Sequence, residues 1–123
     1  MFMNIALIAG VLTTDARMSV LPDEPAVHNF ELRTECGGER HVVPVAWYGA
    51  KRPPRLLAGD EVVVAGMIRR RWFRAGGGSQ SRTEVVAIGV AKPGSKGAAR
   101  LLAAACADVS NADPARSPLG IPH

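Results

Sequence analysis

The chain has 123 residues, 47% of them hydrophobic, which is enough for one domain with a real core plus a short tail and excludes an intrinsically disordered chain. Lys and Arg outnumber Asp and Glu by 15 to 11, giving a net charge of +4 and a pI near 9.7, a balance that favours acidic partners such as nucleic acid. The two cysteines, Cys36 and Cys106, have neither the number nor the spacing of a disulfide framework or a zinc site, and they fit a reducing cytosol.

The start, Met1 to Leu12, is apolar but lacks the basic lead-in of a secretory signal. It also falls far short of the ~20 residues that span a bilayer, so no membrane partner is expected. Asn4 to Leu12 reads instead as a buried strand, rich in branched side chains and ended by Thr13-Thr14-Asp15. Pro22-Asp23-Glu24-Pro25 marks a turn. In the second strand, Val27 to Arg33, alternation places Val27, Asn29, Glu31 and Arg33 on one face and His28, Phe30 and Leu32 on the other. Cys36-Gly37-Gly38-Glu39 supplies a tight connection into the third strand, His41 to Tyr48, where Pro44 predicts an edge or a bulge. Period two there groups Val43, Val45 and Trp47 against Val42, Pro44, Ala46 and Tyr48. Trp47 is expected in the core and Tyr48 towards a ligand.

Pro53-Pro54 leaves room for at most about one helical turn before Gly59-Asp60. The fourth strand, Glu61 to Ile68, continues through Arg74; Gly76-Gly77-Gly78-Ser79 reverses the chain and Thr83 to Val90 returns as the partner. Five strands in about ninety residues point to a small sandwich or barrel. Residues 1–92 are expected to form that all-β domain, and 93–123 a linker, a possible short helix over Ala98 to Asp108 and a flexible tail.

Candidates for catalysis are poor. His28, His41 and His123 lie in different segments without metal-ligand spacing, and Gly76-Gly77-Gly78 lacks the Lys-Ser/Thr of a phosphate-binding loop. No catalytic residue, metal or cofactor is expected, and the chain reads as a binding protein rather than an enzyme. The informative stretch holds Lys51, Arg52, Arg55, Arg69, Arg70, Arg71, Arg74 and Arg82 against only Asp60 and Glu61, with Trp47, Tyr48, Trp72 and Phe73 interleaved. Cations that follow phosphates and rings that stack on bases, at ~1–3 kcal/mol per base, are what a nonspecific single-strand binder needs. The plainer alternative, arginines that solvate a long hairpin and rings that belong to the core, is left open by composition alone. Period two in the arginine strand sets Met67, Arg69, Arg71 and Phe73 opposite Ile68, Arg70 and Trp72. If Ile68 points into the barrel, Phe73 joins Arg69 and Arg71 outside, and Trp72 is exposed where the hairpin projects.

Taken together and in order, several segments make the chain resemble the bacterial single-stranded DNA-binding protein family across roughly residues 3–92. They are Asn4 to Leu12, Phe30-Glu31-Leu32, Val45-Ala46-Trp47-Tyr48-Gly49, Ala58 to Gly66, Arg69-Arg70-Arg71-Trp72 and Arg82 to Ala87. The resemblance implies an OB fold: a five-stranded barrel with a long arginine-rich hairpin arm and a short C-terminal tail. It implies single-stranded DNA as partner, bound with little sequence preference in replication, repair, recombination or DNA uptake. It also implies a homotetramer with the first strand at an interface, and a cytoplasmic, nucleoid-associated location. By position, the family's aromatic before a glycine corresponds to Tyr48. Its arm tryptophan corresponds to Phe73 by ungapped count from Gly66 and to Trp72 by identity, and the arm arginines to Arg69 and Arg71.

The candidate contacts are Arg33, Tyr48, Lys51, Arg52, Arg69, Arg71, Trp72, Phe73, Arg74 and Arg82. Where typical members carry two further stacking tryptophans, this chain has Gly38 and Val42, and its end, Pro118 to His123, is not the acidic tail that recruits repair and replication enzymes. Two other readings remain: a primosomal-type OB adaptor that contacts replication proteins, and an RNA-binding OB module.

Overall fold

A computed structural model describes residues 2–20, 22, 23, 25–50 and 55–110. Lys51, Arg52 and the tail 111–123 lie outside the described residues, so the expectations placed on them are not addressed. The elements in chain order are β1 (Ala6–Leu12), β2 (Arg17–Ser19), β3 (Val27–Cys36), β4 (Glu39–Tyr48), β5 (Glu61–Ala75), β6 (Gly78–Ala91) and α1 (Lys96–Ser110). The strands form a sheet in the order β1-β5-β6-β4-β3-β2, and β1 pairs β3 as well as β5, so the sheet closes on itself. With the short β2 set aside, the five remaining strands are the barrel of an OB fold, as the sequence implied. Among the described residues no helix is long and apolar enough to cross a membrane.

Hydrophobic alternation sets the inside. Leu12, Phe30, Leu32, Val45, Val62, Val64, Val85 and Ala87 are buried together, with Ile8, Val43, Trp47 and Val90 packed against them. Trp47 is thus half-buried and packs against the core rather than within it, and its ring meets His28 with centroids 6.3 Å apart. The expected alternation fails at Val27, which is buried although it lies opposite Tyr48 rather than opposite a core residue, and at Ala46, which is buried beside Val45 although it shares a face with Tyr48. Pro44 pairs with Glu31 in an unbroken β3–β4 register, and the parallel β4–β6 pairing begins only at Val45. Pro44 therefore marks an edge and not a bulge, with its missing N–H costing the sheet nothing.

The irregularity lies instead in the β5–β6 ladder, where Ala65 pairs with Gly89 but Gly66 with Ala87. Ile88 is the additional residue, and the bulge bends the ribbon as it leaves the barrel. A Cβ on Gly66 would lie 2.0 Å from the Val86 carbonyl oxygen, so only glycine allows this crossing. Beyond it the hairpin runs to a two-residue turn, Gly76-Gly77, both at positive φ, which the type I′ turn of a twisted hairpin requires. Asn4 precedes β1 and clasps the arm's root: its side-chain carbonyl accepts from Ile68 N–H (2.9 Å), and its amide donates to Ile68 C=O (2.7 Å).

The helix expected over Ala98 to Asp108 is α1, longer by a few residues at either end. Ser95 caps it, its hydroxyl accepting from Ala98 N–H at 3.1 Å. It lies on the outer face of the sheet, where Leu101 packs directly onto Gly89.

Candidate nucleic-acid interface

The register of the arm settles which side chains share a face. Residues directly opposite in an antiparallel pair point the same way. Ile68 is opposite the core residue Val85, whereas Met67, Arg69, Arg71 and Phe73 are opposite Val86, Glu84, Arg82 and Gln80. The second set is therefore the outer face, the same one on which Tyr48 stands, since Ala46 of β4 is level with Val86 of β6 and Tyr48 is two residues on. The ring placement expected from period two is what the fold contains. Ile68 shares the inner face but lies at the barrel mouth and is exposed.

Tyr48 ends β4, and Gly49 turns the chain away at positive φ with its N–H donating to Ala26 C=O (3.0 Å). Its phenol is fixed from the side. Arg69 Nη2 donates to Tyr48 Oη at 2.8 Å and to Glu84 Oε1 at 2.7 Å, and its guanidinium carbon sits 5.3 Å from the Tyr48 ring centroid. Burial works against the Arg69 charge, but the hydrogen bonds to Glu84 and Tyr48 outweigh it and hold the pKa above its ordinary value. Arg69 Nε is buried without a hydrogen-bond partner. Glu84 is only 3% exposed, and its carboxylate is shared with Arg71 Nε at 3.5 Å. A buried carboxylate needs such partners, because the cost of removing it from water is several kcal/mol, of order 3–5 when a partner is lost.

Glu84 is the residue that sequence reasoning missed. A signal was present: counting outward equally from the Gly76–Gly77 turn places Glu84 opposite Arg69. Its consequence is that Arg69 spends its fork on Tyr48 and Glu84. In the ground state it positions a ring and does not offer a free cation.

The other candidates are distributed as follows. Arg71 lies 5.9 Å from the Phe73 ring centroid on the outer face. Arg82, on the same face, is 3.7 Å from Glu31 of β3. Arg33, two residues beyond Glu31, is exposed opposite Val42. Trp72 and Arg74 point to the other side of the arm with Arg70, whose guanidinium lies 5.5 Å from the Trp72 centroid. Trp72 and Phe73 are thus not competitors for one position. Gly38 occupies the β3–β4 turn at positive φ and Val42 is exposed, so neither places a ring on that surface. Among the described residues no group of three or more His, Cys, Asp or Glu side chains is arranged to hold a metal ion.

No protein-family model matches the chain, and no curated protein matches it. Among solved structures it is similar to Plasmodium falciparum SSB in complex with ssDNA, with a TM-score of 0.59 and 17% sequence identity over 74% of this chain and 93% of that one. At that identity the likeness shows a shared fold.

Proposed function

We propose that this protein binds single-stranded DNA with little sequence preference, through the outer face that runs from Arg33 and Tyr48 along the arm to Arg71 and Phe73. The observation that carries this is the Tyr48 ring held in place by Arg69 and Glu84, in line with a second ring, Phe73, that has its own arginine. Fixed rings beside cations can stack on any base and follow any backbone, which is how a strand is gripped without being read. The solved structure similar in fold is itself a complex with ssDNA, which favours the same ligand class here. Arg71, Arg82 and Arg33 supply positive potential along the path, and Lys51 and Arg52 belong to the same reading. Holding or protecting single strands in replication, repair, recombination or DNA uptake is the process this would serve, as in the bacterial family that the sequence resembles. A homotetramer with β1 at an interface, in the cytoplasm, completes the proposal; Leu7 on the outer face of β1 is exposed.

The test is a binding titration of the full chain with oligo-dT, oligo-U and matched duplex at two salt concentrations. Oligo-dT should bind best, with an affinity that falls as salt rises by a slope of ~0.7 per phosphate contact. Equal affinity for duplex, or none for any single strand, rejects the reading, and preference for oligo-U replaces DNA with RNA.

A further inference from the structure

The outer face leaves half of the arm unexplained. β6 pairs with β4 only over Val85 to Ala87, so from Arg70 to the Gly76–Gly77 turn the arm is a two-stranded ribbon with both faces open. On the outer face three of the arginines are ion-paired: Arg69 and Arg71 share Glu84, and Arg82 faces Glu31. The inner face differs. Arg70, Trp72 and Arg74 lie opposite Thr83, Ser81 and Ser79, so the strand across from these cations presents hydroxyls and no carboxylate. All of the arm's ion pairs fall on the outer face, and neither Arg70 nor Arg74 has an ion-pair partner among the described residues.

The ring on this face is also the more available one, since Trp72 is 65% exposed and Phe73 38%. A tryptophan left in water with an arginine along its face, flanked by a second free cation and by hydroxyl donors, is a stacking platform with its phosphate contacts beside it.

We propose that the face formed by Arg70, Trp72 and Arg74 is a second single-strand subsite, back to back with the face of Tyr48 and Phe73. This rests on the single-strand binding proposed above and extends it. A strand longer than one face accommodates passes around the edge of the ribbon and stacks a further base on Trp72, so the arm is embraced by its ligand rather than laid against it. The more strongly cationic part of the grip falls on the inner face, where the arginines have no ion-pair partner among the described residues.

Anisotropy titrations with labelled oligo-dT, one strand short enough for a single face and one several times longer, test this in the full chain. Trp72→Ala should weaken the long strand by about tenfold, at the loss of one stacked base, reduce the number of nucleotides occluded per protomer, and leave the short strand unchanged. The double substitution Arg70→Ala with Arg74→Ala should lower the salt slope for the long strand by ~1.4 and for the short one not at all. Phe73→Ala should weaken both lengths. If the Trp72 and Arg70/Arg74 variants bind the long strand with unaltered affinity, occlusion and slope while Phe73→Ala weakens it, the subsite is refuted and the single-strand reading stands. If those variants change only the mass seen by light scattering, the inner face is a contact between copies of the chain, and the subsite is likewise refuted. If the unsubstituted protein binds neither strand, both proposals fall.

Discussion

The β5–β6 pair does two unlike jobs on either side of Gly66. Towards the barrel the strands carry Val62, Val64, Ala65 and Ala87, all buried, and α1 covers their outer face. Towards the tip the same ladder carries Arg70, Trp72 and Arg74, all exposed. The two strands stay paired on both sides of the bulge, so backbone pairing does not distinguish the halves. What differs is whether another element crosses the face. Where one does, side chains shrink to glycine and alanine; where none does, arginine and aromatic residues extend into solvent and remain available to a ligand.

That contrast can be broken at its boundary. Gly66→Ala puts a methyl group against the Val86 carbonyl, and the backbone must give. A loss of about 3 kcal/mol or more in unfolding free energy is expected from overpacking at a backbone contact, measured by denaturant titration. Wild-type stability would mean that the crossing is looser than described. Arg69→Met comes next. It strips the buried Glu84 carboxylate of its closest partner but leaves Arg71 at 3.5 Å, so a cost of about 2 kcal/mol, below the usual range for a broken buried pair, is expected. The same substitution frees the Tyr48 ring and should weaken single-strand binding while leaving the salt slope nearly as it was, which separates a positioning residue from a phosphate contact. Gly89→Ala presses on the Leu101 side chain, whose flexible end can move. It should cost about 1 kcal/mol and speed amide exchange in α1, with no change in DNA binding if barrel and arm are as separate as the faces indicate. Phe73→Ala is the mirror image: the melting temperature should stay within about 2 °C of the parent, and only affinity should fall. A melting temperature that drops with an affinity that does not would place Phe73 in the packing instead.

Much of the barrel is legible in the sequence because its information is local. Alternation in Phe30-Glu31-Leu32 separates core from surface, and over Val43 to Tyr48 it assigns Trp47 to the inner face, where it packs against the core, and Tyr48 to the face of Arg69, although Ala46 is buried on that second face as well. The Gly37-Gly38 and Gly76-Gly77 turns fix both hairpin registers. The arm's two faces follow from period two alone, even though the family resemblance left Phe73 and Trp72 as rivals for one role. What escaped needs contacts between segments far apart in the chain. The hairpin count places Glu84 opposite Arg69, but that both close on Tyr48 of β4 is not written in the hairpin. Asp15, which reads as the end of a strand, in fact accepts from Ala58 N–H at 2.8 Å. Val27 breaks the alternation because burial at the start of β3 depends on tertiary neighbours rather than on strand period. The short β2 has no hydrophobic pattern of its own, its three residues being exposed, and pairing with β3 is the only thing that makes it a strand.

The clasp of Asn4 on Ile68 has a practical use. Both backbone polar groups of one residue at the arm's root are held by a single amide just ahead of β1, so the two ends of that contact move together. A spectroscopic label on Phe2, which is exposed, therefore rides within a few residues of the arm's root, and would register a displacement of that root without any change to the arm's rings or cations. Asn4→Ala would cut the tether and supply the internal control: the label should then lose its sensitivity to DNA while the DNA itself binds as before.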